Sequence, residues 1–379
     1  MERIVIIGGG TAGTVIANRL SDKLAPELSR DEVEVVVIND GPDHYYKPTY
    51  LYIPFGLREV HDAKEPLADL LDRKVNLVVD RVTGIDTDDE RVSLQEGRPM
   101  DYDHLVVATG AELAPEETPG LKEGGHHFYG PQGATELRDA LAEFEEGHLV
   151  LSVIGVPHMC PAAPVEFVLM ADEWFREQGR REDIEITYTY PIMRAHGLEP
   201  VAEWAQERFD ERDINVETLF NVEEIDPDEQ TMYTMEQKEV DYDLLVGIPP
   251  HKGDPIVKES GLGEDGWVEV DRHTMEAENA EDVYAVGDAA DIPTSKAGSV
   301  AHYESGPIAD RIVSRVRGQV PTARFDGKTI CFLEAGLEEA IFIEFDYERT
   351  PETRDENKYM HWAKLAYNES YWLTARGNV

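Results

Sequence analysis

The sequence predicts an α/β protein with two doubly wound, Rossmann-like domains and a small C-terminal module of strands and a helix. Two patterns of strand, turn and helix predict the domains: RIVIIGGGTAGTVIANRL and HLVLSVIGVPHMCPAAPVEFVLMADEWFREQG. The apolar segment VEVVVIND, which follows the first pattern, supplies a neighbouring parallel strand. We predict that the first domain is discontinuous, over residues 1–111 and 276–318, that the second spans 112–275, and that the module spans 319–379. A chain of 379 residues is long enough for this division.

The composition indicates a globular and strongly acidic protein. Hydrophobic residues make up 41% of the chain, and no apolar run is long enough to predict a transmembrane helix. The net charge is −43, from 78 acidic and 35 basic residues. Such a surface repels phosphate backbones, so we expect no nucleic-acid partner. The acidic residues are dispersed rather than gathered in one tail, which predicts a halophilic protein. Because the chain opens on an apolar strand rather than a signal-peptide pattern, we expect it in the cytoplasm.

The first turn has the spacing G-x-G-x-x-G, at Gly8, Gly10 and Gly13. In such a turn the first glycine allows a tight bend, the second lets the backbone approach a pyrophosphate, and the third lets helix and strand pack closely. The strand VEVVVIND ends in Asn39 and Asp40, where an acidic residue normally binds ribose hydroxyls. These features predict a dinucleotide site. The alternative is a glycine-rich turn without a ligand.

Two later segments favour FAD as the dinucleotide. DYDHLVVATGAE contains an apolar strand that ends at Ala108, Thr109 and Gly110, and AEDVYAVGDAADI contains one that ends at Gly287 and Asp288. The three motifs, in this order and spacing, resemble those of the two-dinucleotide-domain flavoproteins. The resemblance implies that the ATG segment closes the FAD domain and that Asp288 binds the ribityl hydroxyls.

The second turn, residues 155–164, lacks the glycines of a nucleotide site, and we call it the proline turn. Pro161 and Pro164 have no backbone N–H to donate to a phosphate, so we predict no nicotinamide dinucleotide here. Cys160 lies just before the predicted helix, where the helix dipole favours a thiolate, and we predict a redox role for it. The alternative is a decayed nucleotide site in which Cys160 only fills space.

The second cysteine, Cys331, falls in the predicted hairpin FDGKTICFLEAGLEEAIFIEFDY. We predict strands at 330–334 and 340–345, with a turn at Gly336. A buried structural thiol is therefore the alternative to a redox role for Cys331. Neither cysteine has the neighbours of a zinc site, and we expect no metal.

Together these segments resemble the sulfide:quinone oxidoreductases and the related flavoprotein subunit of flavocytochrome c sulfide dehydrogenase. The most specific segments are GVPHMCPAAPVE, PTSKAGSVAHYE, FDGKTICFLEAG and AKLAYNESYW, and the likeness covers most of the chain. The resemblance implies that FAD is the cofactor and that Cys160 and Cys331 form a redox pair. It also implies that sulfide, or a small sulfur donor, is oxidised to sulfur or polysulfide, and that the electrons pass via FAD to a membrane quinone.

The resemblance implies roles for further residues. Glu166 and His196 match positions proposed for proton handling; the alternatives are a solvated helix carboxylate and a structural loop histidine. We also expect a set of residues from several segments to bind FAD: Lys47, Pro48, Val82, Lys296, Gly298 and Lys364. We expect a smaller aromatic set to contact the quinone: Phe332, Tyr367 and Tyr371.

The last predicted helix, KYMHWAKLAYNESYWLTARG, is rich in aromatic residues. Such a helix suits shallow contact with the inner face of the membrane, or a quinone pocket. Packing on its own domain or on a partner subunit is the alternative. The resemblance also implies a homo-oligomer. A third cysteine that is frequent in the family is absent here, and Tyr129 lies roughly in its place.

Two other functions stay open from the sequence. The first is an NADH:quinone oxidoreductase-like flavoenzyme of the same superfamily, against which the missing glycines of the proline turn argue. The second is a flavin-binding redox sensor without turnover, in which the cysteines switch the conformation by forming a disulfide.

Overall fold

The structure, a computed structural model, describes residues 1–377. The first domain is built on a parallel sheet with strands in the order Val283–Ala285, His104–Val107, Glu2–Ile7, Val33–Asn39 and Val75–Val79. Its central strands are buried apolar runs, as in parallel sheets that are covered on both faces. Helices Thr11–Lys23 and Gly298–Val316 pack against each other beside this sheet. The chain therefore leaves the first domain and returns to it after the second.

The second domain repeats the plan with a four-stranded parallel sheet. Its strands are, in order, Asn215–Thr218, Ile184–Tyr190, Gly147–Val153 and Leu244–Ile248. Three helices accompany them: Pro131–Glu143, Ala163–Glu177 and Glu199–Glu211. The apolar residues of the central strand and of the helix after the proline turn share one buried core, which includes Phe167 and Phe175. This core fixes the start of that helix, and with it Cys160.

The C-terminal module joins the two domains. Strands Thr329–Glu334 and Ala340–Phe345 form an antiparallel hairpin in which Cys331 faces Ile343, and Glu352–Thr353 adds a short third strand. The hairpin packs into the core of the second domain through Leu333 and Ile341. The C-terminal helix, Lys358–Ala375, packs instead on the first domain. The predicted hairpin is confirmed, and so is the fold class.

Smaller elements complete the chain. Each domain carries a three-stranded antiparallel sheet: Val82–Asp86, Arg91–Leu94 and Met100–Asp101 in the first, and Val222–Asp226, Thr231–Thr234 and Glu239–Asp241 in the second. Three strand pairs follow: Asp43–Tyr45 with Lys64–Pro66, Glu112–Leu113 with His251–Lys252, and Val268–Glu269 with Ala290–Asp291. The short α-helices are Ala25–Leu28, Leu67–Leu70, Leu121–Gly124 and Pro255–Glu259. The 3-10 helices are Lys47–Leu51, Val60–Ala63, Pro115–Glu117, Arg181–Asp183 and Gly287–Ala289.

Within residues 1–377, no helix is both long enough and apolar enough to span a bilayer.

Candidate active site

The first turn has the close packing that a dinucleotide site requires. Gly8 has a left-handed backbone, with φ of 102°, and a Cβ there would collide with the carbonyl oxygen of Ala108. A Cβ at Gly13 would collide with the carbonyl oxygen of Gly8. The helix therefore starts directly against the strand, and its free N–H groups face the space above the sheet.

A cavity of about 440 Å³ connects this turn with the proline turn. Its size is in the range of cofactor sites. All but three of the site residues predicted from the sequence line it, including both cysteines. The exceptions are Gly13, Val82 and His196.

The first half of the cavity fits FAD. The hydroxyl of Thr109 is buried in the cavity wall and has no hydrogen-bond partner within residues 1–377. Because buried hydroxyls are normally hydrogen-bonded, this group fits a polar ligand in the cavity. Asp40, predicted to bind ribose hydroxyls, is exposed and lines the cavity. Asn39 has a different task, because its side chain accepts from the Gly9 N–H and donates to the Gly41 carbonyl, both at 2.7 Å. It braces the turn.

Beside the cavity, hydrogen bonds from Lys296 and to Glu304 fix the backbone of the Gly287–Asp288 segment. The ammonium of Lys296 donates to the carbonyl oxygen of Asp288 at 2.7 Å and lies 3.9 Å from the centre of the Trp267 ring. Burial lowers the pKa of Lys296. Glu304, which was not predicted as a site residue, is fully buried, and its carboxylate accepts from the Gly287 N–H at 2.6 Å. Burial raises the pKa of Glu304 to about 8.

Cys160 is set by the proline turn at the other end of the cavity. Its backbone is left-handed, with φ of 45°, and its N–H donates to the carbonyl oxygen of Lys296 at 2.7 Å. Burial raises the pKa of the Cys160 thiol to about 12, and the nearby Glu166 adds to the rise. Burial therefore opposes the thiolate that the helix dipole was predicted to favour. The dipole at the helix start is a weaker effect than the loss of solvent around the sulfur.

Cys331 faces the same cavity from the C-terminal hairpin. Both cysteines are free thiols and only partly accessible. Burial raises the pKa of Cys331 well above its usual value, and the charge of Cys160 is the next contribution. The two sulfurs are thus close enough to interact electrostatically, although they are distant in sequence. Tyr129 lies beside them, with its hydroxyl 3.4 Å from the carbonyl oxygen of Cys160.

Glu166 belongs to a buried cluster of charges next to the thiols. One carboxylate oxygen contacts the ammonium of Lys364 and also accepts from the backbone N–H of Glu334 at 2.7 Å. Burial raises the pKa of Glu166, although Lys364 opposes the rise. Glu166 is therefore not a solvated helix carboxylate. Lys364 lines the cavity, as predicted, but its charge is already shared with this carboxylate.

Glu334, Tyr52 and His361 complete this cluster, and none of them was predicted as a site residue. The carboxylate of Glu334 accepts from the Tyr52 hydroxyl at 2.6 Å and lies 2.8 Å from Nδ1 of His361. Burial alone would raise the pKa of Glu334, but Lys364 and these two hydrogen bonds lower it. No spacing in the sequence could reveal the cluster, because its members come from four separate segments.

His196 is buried outside the cavity lining. Its Nδ1 accepts from the Leu198 N–H at 3.0 Å, and burial lowers its pKa to about 4. Val82 lies in the wall of a small antiparallel sheet, also away from the cavity. Neither placement favours the predicted role.

The three predicted quinone residues line the cavity but differ in their surroundings. The rings of Phe332 and Tyr367 lie 6.2 Å apart, near Cys331. Tyr371 is buried, stacks on Tyr46 with ring centres 3.9 Å apart, and places its hydroxyl 2.8 Å from the Thr11 side chain. Its contacts are those of a residue that packs the C-terminal helix on the first domain.

Comparisons with known proteins identify the family and several relatives of the whole chain. Residues 2–306 match the family model described as pyridine nucleotide-disulphide oxidoreductase. The mitochondrial sulfide:quinone oxidoreductase of Mus musculus is 27% identical over 361 residues, which are 92% of this chain and 79% of the mouse protein. The sulfide-quinone reductase of Aquifex aeolicus is 25% identical over 406 residues, covering 100% of this chain and 92% of that protein.

The solved structures give the same result for the fold. The X-ray structure of the sulfide:quinone oxidoreductase from Aquifex aeolicus superposes with a TM-score of 0.88 at 23% identity, covering 100% of this chain and 92% of that chain. The resemblance drawn from the sequence motifs is thus confirmed over most of the chain.

Proposed function

The chain belongs to the pyridine nucleotide-disulphide oxidoreductase family, and we propose that it oxidises sulfide and passes the electrons via FAD to a quinone. It is a flavin-dependent oxidoreductase with FAD as its cofactor. One observation carries the proposal: Cys160 and Cys331 line the same cavity as the dinucleotide turn. The names of the mouse and Aquifex aeolicus relatives supply sulfide and quinone as the substrates.

The two cysteines supply the sulfur chemistry. Hydrosulfide attacks a bridge between them, so that one cysteine becomes a persulfide and the other leaves as a thiolate. A second hydrosulfide takes the outer sulfur as hydrogen disulfide, leaving two thiolates that restore the bridge by losing two electrons. Bound FAD supplies the acceptor for this electron pair, which a quinone finally receives.

The charge cluster controls protons around these sulfurs. Because the pKa of Cys160 is raised to about 12, a thiolate released from the bridge takes a proton readily at neutral pH. Glu166 lines the cavity and is electrostatically coupled to Cys160. We assign the proton exchange with the thiols to Glu166, with Lys364 compensating its negative charge.

The proline turn supports sulfide rather than NADH as the electron donor. Pro161 and Pro164 offer no N–H groups, and the N–H of Cys160 is already bonded to Lys296. A second dinucleotide would find few backbone donors at this helix start.

Anaerobic stopped-flow absorbance tests the proposal. FAD-loaded protein in high salt is mixed with sulfide and then with a soluble quinone. We expect the flavin absorbance to fall with sulfide and to recover with quinone over repeated turnovers. Rapid bleaching by NADH, with none by sulfide, would instead identify an NADH:quinone oxidoreductase. A single stoichiometric reduction without continued quinone consumption would identify a redox sensor.

A further inference from the structure

A line of charged groups, with one wider step of 3.8 Å, leads from the cavity that the thiols line towards the protein surface. Glu166 contacts the ammonium of Lys364, which lies 3.8 Å from one carboxylate oxygen of Glu334. The other oxygen of Glu334 lies 2.8 Å from Nδ1 of His361. Tyr52 donates to the first oxygen and holds the carboxylate in place.

Exposure to solvent increases at the far end of this line. The side chains of Glu166, Lys364 and Glu334 are 3%, 9% and 0% exposed. The side chain of His361 is 13% exposed, which is the largest value in the line. Three elements contribute the members: the helix after the proline turn, the hairpin strand that carries Cys331, and the C-terminal helix.

We propose that Glu334 and His361 form a proton outlet that connects Glu166, at the thiol cavity, with solvent. When the Lys364 ammonium moves from 3.8 Å to hydrogen-bond distance of Glu334, it passes one proton to that carboxylate and takes one from Glu166, so its own charge is unchanged. Glu334 passes its proton to Nδ1 of His361, and the imidazole releases another from Nε2 to water. No electrons move in these steps.

The charges around the outlet keep the proton on Glu166 at rest and leave Glu334 ionised, so Glu334 carries a proton only while one is being transferred. Glu166 is faced by Lys364, Glu334 and the two cysteines, and burial keeps its pKa raised. Glu334 is faced by Lys364, His361 and Tyr52, and these groups keep its pKa lowered. A carboxylate beside an imidazole orients the ring and assists its proton exchange. Glu334 and His361 are therefore positioning residues that act through Glu166.

The inference rests on the proposed function for the origin of the protons, but its test does not need sulfide. The infrared carbonyl band of a protonated carboxyl group shifts when its proton is exchanged for deuterium. The FAD-loaded protein is brought to mildly acidic pH, and Glu166→Gln identifies the band of Glu166. Rapid mixing with heavy water then gives the exchange rate of this proton.

We expect His361→Gln to slow the exchange by about ten-fold or more, because the glutamine amide keeps a hydrogen bond to Glu334 but does not relay protons. Free imidazole should restore the rate in His361→Ala. His61→Gln is the matched control, since the His61 side chain is 79% exposed and lies 3.6 Å from the Asp62 carboxylate, away from the outlet. It should exchange at the rate of the unmodified protein.

Two results would overturn the outlet: exchange at the unmodified rate in His361→Gln, or no carbonyl band that depends on Glu166. Failure of the proposed function looks different. In that case sulfide does not bleach the flavin, while the exchange rates of the two histidine variants still differ.

Discussion

An added Cβ atom should have different effects at two glycines of the first turn: at Gly13 it should lower the stability of the fold, and at Gly10 it should weaken cofactor binding. In Gly13→Ala the new Cβ meets the Gly8 carbonyl oxygen, which lies in backbone and cannot move aside. We expect the FAD-free protein to lose about 2 kcal/mol or more of unfolding free energy, measured by denaturant unfolding.

Gly10→Ala is the matched control. Among residues 1–377, no heavy atom outside the chain neighbours of Gly10 lies within 4 Å of a Cβ built there, and Gly10 lines the cavity. We expect the stability of the FAD-free protein to stay within about 0.5 kcal/mol and the retention of FAD to fall, because the methyl group enters the cofactor space. Equal losses of stability in the two variants would contradict this division of roles.

Cys331 gives the most direct test of the sulfur chemistry. Cys331→Ser should lower the rate of flavin bleaching by sulfide about a hundred-fold or more, because serine cannot form the bridge. The yield of bound FAD should not change. Thr329→Ser, on the same strand but outside the cavity lining, is the control and should react normally. A Cys331→Ser protein with the normal rate would exclude the paired mechanism.

The positions of site residues that belong to a local motif could be predicted from the sequence. The positions of site residues that meet only through tertiary packing could not. Gly8, Gly13 and Cys160 could be located because strand–turn–helix geometry is local. The pKa of Cys160 is raised by burial, which depends on distant segments. The local sequence therefore predicted the opposite change, a lowered pKa. His361 belongs to no motif, and only the docking of the C-terminal helix brings it to Glu334.

At the scale of elements, the helix Gly298–Val316 supports the Gly287 turn through a buried carboxyl group. The pKa of Glu304 is raised to about 8, so the folded protein binds this proton more tightly than the unfolded chain does. Its contribution to stability is therefore complete below about pH 4 and is lost as the pH rises through about 8. Glu304→Gln removes this dependence while keeping an acceptor for the Gly287 N–H.

We expect the unfolding free energy of the unmodified protein to fall relative to that of Glu304→Gln between about pH 5 and 8, by up to about 4 kcal/mol. Urea unfolding at several pH values measures the difference. Glu281→Gln, whose side chain is 81% exposed, should follow the unmodified protein. Parallel curves for Glu304→Gln and the unmodified protein would show that Glu304 has an ordinary pKa.

The C-terminal helix shows how far periodicity can lead. The sequence predicted an aromatic helix and left membrane contact and packing on its own domain as alternatives. The structure divides the aromatic residues between two faces: Tyr371 is buried against the first domain, whereas Tyr359 and Trp362 are 64% and 57% exposed. Periodicity identifies the faces of a helix but not which neighbour covers each one, since that depends on tertiary packing.

At the scale of the whole molecule, the C-terminal module contacts both domains. Its hairpin packs on the second domain and carries Cys331, and its helix packs on the first domain and carries Lys364, so that both residues line the cavity. The two parallel sheets follow from local patterns of apolar strands and helices, and so they were predictable. The meeting of the two cysteines was implied only by the family resemblance, because contacts between distant segments leave no trace in the spacing of residues.

The net charge of −43 also acts on the whole molecule. The 35 basic residues can neutralise no more than 35 of the 78 acidic residues, so repulsion remains after every possible ion pair. Surface pairs such as Arg30 with Glu32, at 2.8 Å, contribute little to stability and are weakened by salt. Salt also shortens the range of the repulsion, from about 10 Å at 0.1 M to about 3 Å at 1 M.

The screening of repulsion should outweigh the weakening of ion pairs, because the repulsion involves the whole excess of negative charge. We expect the midpoint of thermal unfolding to rise by about 5 °C or more between 0.1 and 1 M potassium chloride. Glycerol at the same molarity is the control for non-ionic effects of the solute and should give a smaller shift. A midpoint that is constant or falls over this range would mean that ion pairs, rather than repulsion, dominate the electrostatics of the fold.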